Sequence, residues 1–195
     1  MLKNSAIGIS FFGVAMLVAL IVTHSYISFA AIGAAILHEL AHILAARMLK
    51  SRLTNIRLGI FGASLSMDST TTSYKNEILI CIAGPTANLL SATFLLAFSK
   101  ATSHFLSMFL SASFFLGLLN LLPISDFDGG RILYCIVAEF ASPSCAHKTL
   151  KTASFLCVFL LWALSVYLIL RLGASLSLFV FCASVFCKIF VKDKI

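Results

Sequence analysis

Apolar runs of the length needed to cross a bilayer recur from one end of this chain to the other, and that repetition limits its folds more than any single residue does. A helix rising about 1.5 Å per residue needs roughly 20 residues to cross about 30 Å of hydrocarbon. Runs of that kind lie near residues 6–23, 27–48, 78–98, 103–122, 153–170 and 173–190. Of 195 residues, 61% are hydrophobic and 11% charged, against about 25% charged in an average soluble domain. A single soluble core cannot hide so much apolar surface, so the excess faces lipid. The expected fold class is an all-α polytopic membrane protein, one domain over 1–195 with six transmembrane helices.

Six crossings put both termini on one side of the membrane. That side then holds twelve of the fourteen Lys and Arg residues, among them Lys3, Arg47, Lys50, Arg131 and Lys194, while only Lys100 and Arg171 fall opposite. By the positive-inside rule the termini and the segments 49–77 and 124–152 are cytoplasmic, and the chain belongs in the cell membrane. Removing or adding one span would scramble this asymmetry. The boundary between the fifth and sixth spans, around Arg171 to Ala174, is tight. Residues 5–23 behind Lys3 have the outline of a signal peptide, but no small-residue cleavage site stands out and more spans follow, so an uncleaved first span is expected.

The segment Leu53 to Met67 is too short and polar to cross. It alternates partly like strands broken by Gly59 and Gly62, and reads either as a short β-hairpin at the cytoplasmic face or as an ordinary surface loop. The net charge of +7 is not gathered into a basic tract interleaved with aromatics, so nucleic acid is not expected as a partner. Six cysteines form no CxxC pair, and five lie in apolar segments, where they read as small core residues.

The second run contains His38-Glu39-Leu40-Ala41-His42. On a helix the i, i+4 spacing puts both imidazoles on one face, where two neutral nitrogens can bind one zinc ion. Glu39, one residue along, can reach water on that ion without being a ligand. A bare HExxH recurs by chance, but an ionisable residue at membrane depth costs on the order of 2.5–3.5 kcal/mol on insertion scales. Zinc binding of about 10–16 kcal/mol at structural sites exceeds that cost. A hydrolytic site usually takes a third protein ligand. Between Asn120 and Arg131, Pro123 ends a helix and Gly129-Gly130 permits a sharp turn, so a carboxylate, Asp126 or Asp128, can point back into the bundle.

Taken in order, HELAH (38–42), AGPTANLL (83–90) and NLLP followed by DGGR (120–131) resemble the three signature regions of the site-2 protease family of intramembrane zinc metalloproteases. The resemblance covers about residues 35–135, and the compact six-span layout is similar to the sporulation-type branch. It implies hydrolysis of peptide bonds in membrane-embedded or membrane-associated protein substrates by zinc-activated water. It further implies one zinc ion on His38, His42 and Asp128, with Glu39 as general base and with Asn88 and Asn120 helping to hold substrate or to stabilise charge at the reacting carbonyl. Asp126 departs from the pattern, because that position is not usually acidic in the family, and it offers a second carboxylate where one would do.

Other roles stay open for the two amides. Asn88 can serve as a helix-packing hydrogen bond beside Ala83, Gly84 and Ala87, and Asn120 can satisfy backbone groups at a helix end. His24, His104 and His147 fall near span ends or in loops and are assigned no chemistry. A metal transporter would also carry intramembrane His and Asp, but it has no need of a non-ligand Glu beside the first His. A catalytically silent relative would not need the complete set. No separate substrate-recognition domain is expected, so selection falls to the membrane core, the short loops or a regulatory membrane partner. A sporulation role follows from the branch resemblance alone.

Overall fold

Lipid reverses what a helix needs to bury, and α1 (Tyr26–Met48, 23 residues) is built on that reversal. Its buried residues include Ala30, Ala34, His38, His42 and Ala46, one every fourth position. Tyr26, Ile27, Phe29, Ile36, Leu40, Leu44 and Met48 are exposed. Small residues facing inward let neighbouring backbones approach closely, and large apolar side chains are left for hydrocarbon. In water such a surface would drive association.

A computed structural model of the chain describes residues 6–9, 26–51, 53–59, 62–67, 73–98, 103–173, 176–187 and 189. They fall into two compact units, Met1–Leu121 and Leu122–Ile195. In the first unit α1 packs with α2 (Tyr74–Phe98, 25 residues) and α3 (His104–Asn120, 17 residues), and those two pack with each other. The buried row of α2 has the same four-residue step as that of α1: Ile80, Gly84, Asn88 and Ala92. Against it lies Gly117 of α3, where a Cβ would stand 3.1 Å from the Pro85 carbonyl and from Leu89. Ser103 caps α3 by accepting from the Leu106 N–H at 3.3 Å.

The same unit holds a three-stranded sheet in the order β1-β2-β3. Strand β2 (Leu53–Gly59) pairs antiparallel with β3 (Gly62–Met67), Gly59 opposite Gly62, with an irregularity in register between Leu53 and Asn55. Strand β1 (Ala6–Ile9) pairs parallel with β2, Ala6 opposite Asn55. This corrects the start of the first expected span. Where a helix over 6–23 is expected, Ala6–Ile9 is extended, and residues 10–25 lie outside the described residues. A short apolar run reads alike as buried helix or strand, and here β2 offers the segment a ladder.

In the second unit α5 (Pro143–Leu172, 30 residues) packs with both α4 (Asp128–Phe140, 13 residues) and α6 (Ser177–Phe186, 10 residues). Ser142 caps α5 by accepting from the Cys145 N–H at 3.2 Å, Pro143 occupies its first turn, and Gly173 closes it in the left-handed conformation at φ 61°. The expected span at 153–170 is thus the inner part of a longer helix. The 124–152 connection is largely helical too, through α4 and the first turns of α5. Among the described residues, Tyr26–Met48 and Pro143–Leu172 are long and apolar enough to cross a membrane, and His104–Asn120 is a shorter apolar helix. Only 17% of the apolar stretch of α5 is buried, which leaves most of it facing outward.

Between Pro123 and α4 the chain turns tightly. The Phe127 N–H donates to the Ile124 carbonyl (2.9 Å), and the Gly130 N–H to the Phe127 carbonyl (3.1 Å). Ser154 of α5, fully buried, locks the turn by accepting from the Ser125 N–H at 3.0 Å and donating to the Pro123 carbonyl at 3.4 Å. A Cβ on Gly130 would stand 2.0 Å from the Ile124 carbonyl oxygen and 2.5 Å from its carbon, backbone atoms with no room to move. Gly130→Ala is expected to lower the thermal unfolding midpoint of the detergent-purified protein by on the order of 5–10 °C, an overpacking effect of about 1–3 kcal/mol. Gly33→Ala, whose Cβ would meet Phe109 at an ordinary 3.4 Å, is expected to leave it nearly unchanged.

Candidate metal centre

His38 and His42 lie one helical turn apart on the buried face of α1, each 5% exposed. Their rings meet edge to face, with centroids 4.6 Å apart and planes at 85°. The two Nε2 atoms are 3.0 Å apart. Two bare lone pairs at that separation repel, so the contact needs either a proton on one nitrogen or a cation shared by both. Zinc binds imidazole nitrogen at about 2.0–2.1 Å, and two nitrogens 3.0 Å apart can both lie that far from one point.

Helix α2 decides which nitrogen of His42 is available. His42 Nδ1–H donates to the Ile80 carbonyl at 2.7 Å, inside the buried interface. With its proton held there, a neutral His42 presents a bare Nε2, the form that binds a metal. Four residues on, Gly84 makes the approach possible. A Cβ at that position would stand 2.4 Å from His42 Nε2, 2.6 Å from His42 Cε1 and 2.8 Å from His38 Cε1. Any side chain at 84 would intrude where the imidazole edges converge. Pro85 follows inside the helix and brings no N–H to the ladder.

The remaining candidate residues sit as follows. Glu39 is half-buried beside His38 on α1, and Asn88 on α2 is fully buried with its Nδ2 3.4 Å from His38 Nδ1. Asn120, the last residue of α3, is half-buried and donates from Nδ2 to the Leu116 carbonyl of its own helix at 3.1 Å. That bond is the helix-end role open to it from sequence. In the second unit Asp128 is the first residue of α4 and half-buried, whereas Asp126 in the preceding turn is exposed. A carboxylate in a helix's first turn is favoured by the unpaired N–H groups and dipole there.

In the first unit the structure brings together His38, His42 and Asn88, and adds two participants that the sequence did not single out for the site. One is the Ile80 carbonyl, which has no side-chain signature at all. The other is Gly84, legible only as one of several small packing residues in AGPTANLL.

Two buried imidazole nitrogens directed at one point are donors of the kind a metal site uses. The model of peptidase family M50 matches residues 26–103 and 96–164. The chain belongs to this family, that of the site-2 proteases, whose members are membrane metalloproteases. Stage IV sporulation protein FB of Bacillus subtilis (strain 168) is 28% identical over 137 residues, 67% of this chain and 48% of that protein. The putative zinc metalloprotease Rip3 of Mycobacterium tuberculosis is 34% identical over 105 residues, 49% of this chain and 27% of that protein. This chain therefore spans about half the length of the first relative and about a quarter of the second. The site-2 protease from Methanocaldococcus jannaschii shares the fold, with a TM-score of 0.65 at 21% identity over 100% of this chain and 94% of that one.

The close approach at Gly84 sets an expectation. Gly84→Ala should weaken zinc binding about 10–100-fold, because the added methyl displaces the imidazole edges at an overpacking cost of about 1–3 kcal/mol. Chelator competition on the purified protein checks this, and an unchanged affinity would show that the imidazole edges do not need the space.

Proposed function

We infer that this chain is an intramembrane zinc endopeptidase that hydrolyses peptide bonds of membrane-embedded or membrane-associated proteins. The observation that carries the reading is the buried His38–His42 pair, its Nε2 atoms converging and His42 fixed by Ile80 as a metal-binding tautomer. Asp128 completes the ligand set. Its half-buried position at the head of α4, after a turn locked by Ser154, suits a fixed ligand better than exposed Asp126 does.

Zinc bound by these three residues would acidify water towards neutrality and polarise a peptide carbonyl. Glu39 faces that chemistry as general base. It takes a proton from the attacking water and returns it to the leaving amine, so the same carboxylate serves both halves of the reaction. Neither a serine nor a cysteine stands beside a base in these motifs, and no covalent intermediate is invoked.

A helical substrate hides its carbonyls in its own hydrogen bonds and must unwind before cleavage. The sheet offers a way to hold the unwound strand, because β3 is one of its two edge strands and main-chain pairing is sequence-tolerant. In this reading the chain crosses the membrane several times, with both termini and the sheet at the cytoplasmic face, in line with the distribution of Lys and Arg. The cut then falls near the cytoplasmic end of the substrate's span. A regulatory membrane partner can supply selectivity.

Glu39→Gln is expected to lower cleavage by about 10²–10⁴-fold while leaving zinc content intact. The measurement compares membrane proteomes of cells carrying wild type and variant, looking for a fragment that vanishes, with metal analysis of both proteins. Retained turnover in Glu39→Gln would remove the proposed base. Asp128→Ala should lose zinc and Asp126→Ala should keep it, and the opposite result would move the third ligand to Asp126.

A further inference from the structure

Asn88 has a polar group with nowhere to go. The residue is 0% exposed, and its Oδ1 is buried without a hydrogen-bond partner, while Nδ2 lies 3.4 Å from His38 Nδ1. A side chain so enclosed has no face to offer a substrate. It does have a half-turn available, because the oxygen and nitrogen of a carboxamide occupy nearly the same volume and exchange places on a flip.

The two orientations have different consequences for His38. With Nδ2 towards the ring, the amide N–H points at Nδ1, the ring proton is driven to Nε2, and Oδ1 stays unpaired. That Nε2–H then faces His42 Nε2 across 3.0 Å, which joins the imidazoles to each other and bars both from a metal. With Oδ1 towards the ring, Nδ1–H has an acceptor, the amide NH2 takes the place the oxygen left, and both Nε2 atoms carry bare lone pairs directed at one point.

Resting on the metal-site reading above, we propose that Asn88 is a positioning residue for zinc: its Oδ1 accepts from His38 Nδ1–H and holds His38 in the tautomer whose Nε2 binds the ion. Helix α2 then serves both ligands from one row of positions. Ile80 orients His42 through its carbonyl, Gly84 leaves room for the ring edges, and Asn88 orients His38 through its side chain. Metal-bound histidines generally give their second N–H to an oxygen acceptor, and here one adjacent helix supplies both.

The test uses purified full-length protein in detergent and zinc as the probe, with affinity read by chelator competition. Asn88→Leu keeps the volume and removes the acceptor, and it is expected to weaken zinc about 10–100-fold. Asn88→Asp still accepts and is expected to bind zinc close to wild type. Thermal unfolding of the metal-free forms identifies which variants are folded. If folded Asn88→Leu binds zinc as wild type does, the inference is overturned. If Asn88→Leu does not fold, the Asp variant decides alone, since an ionised carboxylate accepts but cannot donate, and weakened zinc in that folded protein overturns it. Equal zinc binding by wild type and His42→Ala would instead sink the metal-site reading itself, which separates the two failures.

Discussion

Two imidazoles buried away from water need a partner for every nitrogen, and that demand organises the first unit. His42 meets it with a 2.7 Å bond to a backbone carbonyl 38 residues further along the chain. His38 and His42 meet each other at Nε2, and Asn88 lies against the far side of His38. The contacts with Ile80 and Asn88 form only where α2 lies directly against α1. The approach is possible because Gly84 has no side chain to strike the rings and because the other buried residues of α1, Ser28, Ala30, Ala34 and Ala46, are small. Polar chemistry and close helix packing are here one requirement.

The outer surfaces follow from the same inversion. In water, large apolar side chains form the core, and their burial stabilises the fold by about 25 cal/mol per Å². Between helices in lipid that driving force is missing, and small residues, close contact and hydrogen bonds take its place. The exposed Leu40, Leu44 and Met48 of α1, and the exposed Phe159, Leu160 and Leu170 of α5, belong to this arrangement. In the second unit a buried hydroxyl, Ser154, does for the turn after Pro123 what the Ile80 carbonyl does for His42: it ties irregular backbone to a neighbouring helix. Irregular backbone packed against a helix is tolerable where such groups satisfy its polar atoms.

Much of the helical framework was legible because apolar length is a crude and robust signal. α1 matches its expected extent to within one residue at its N-terminal end, and α2 begins four residues before the expected span while ending at the same residue. The signal fails where segments are short or mixed. Ala6–Ile9 reads as the start of a span but is a strand, since four apolar residues carry no information about period. Residues 124–152 read as a cytoplasmic connection between spans, yet 128–140 form α4, whose buried Cys135 and Ala138 lie three apart on one face. The start of α5 at Ser142-Pro143 carried a usable cap signal that the hydropathy run, beginning ten residues later, obscured.

At the site, the sequence by itself determined that two imidazoles share one helix face with a glutamate beside them, because i, i+4 geometry is a property of the helix and not of its neighbours. It also determined that the chain carries more apolar surface than one soluble core can hide. What faces those imidazoles was decided only in the tertiary structure. A backbone carbonyl is the same in every residue, so nothing in the letters marks Ile80 as the partner of His42. Likewise a glycine's missing Cβ acquires meaning only when another helix comes within 3 Å of where that atom would be. Tautomer and fit are set across helix contacts, between residues tens of positions apart, and a local pattern cannot contain them.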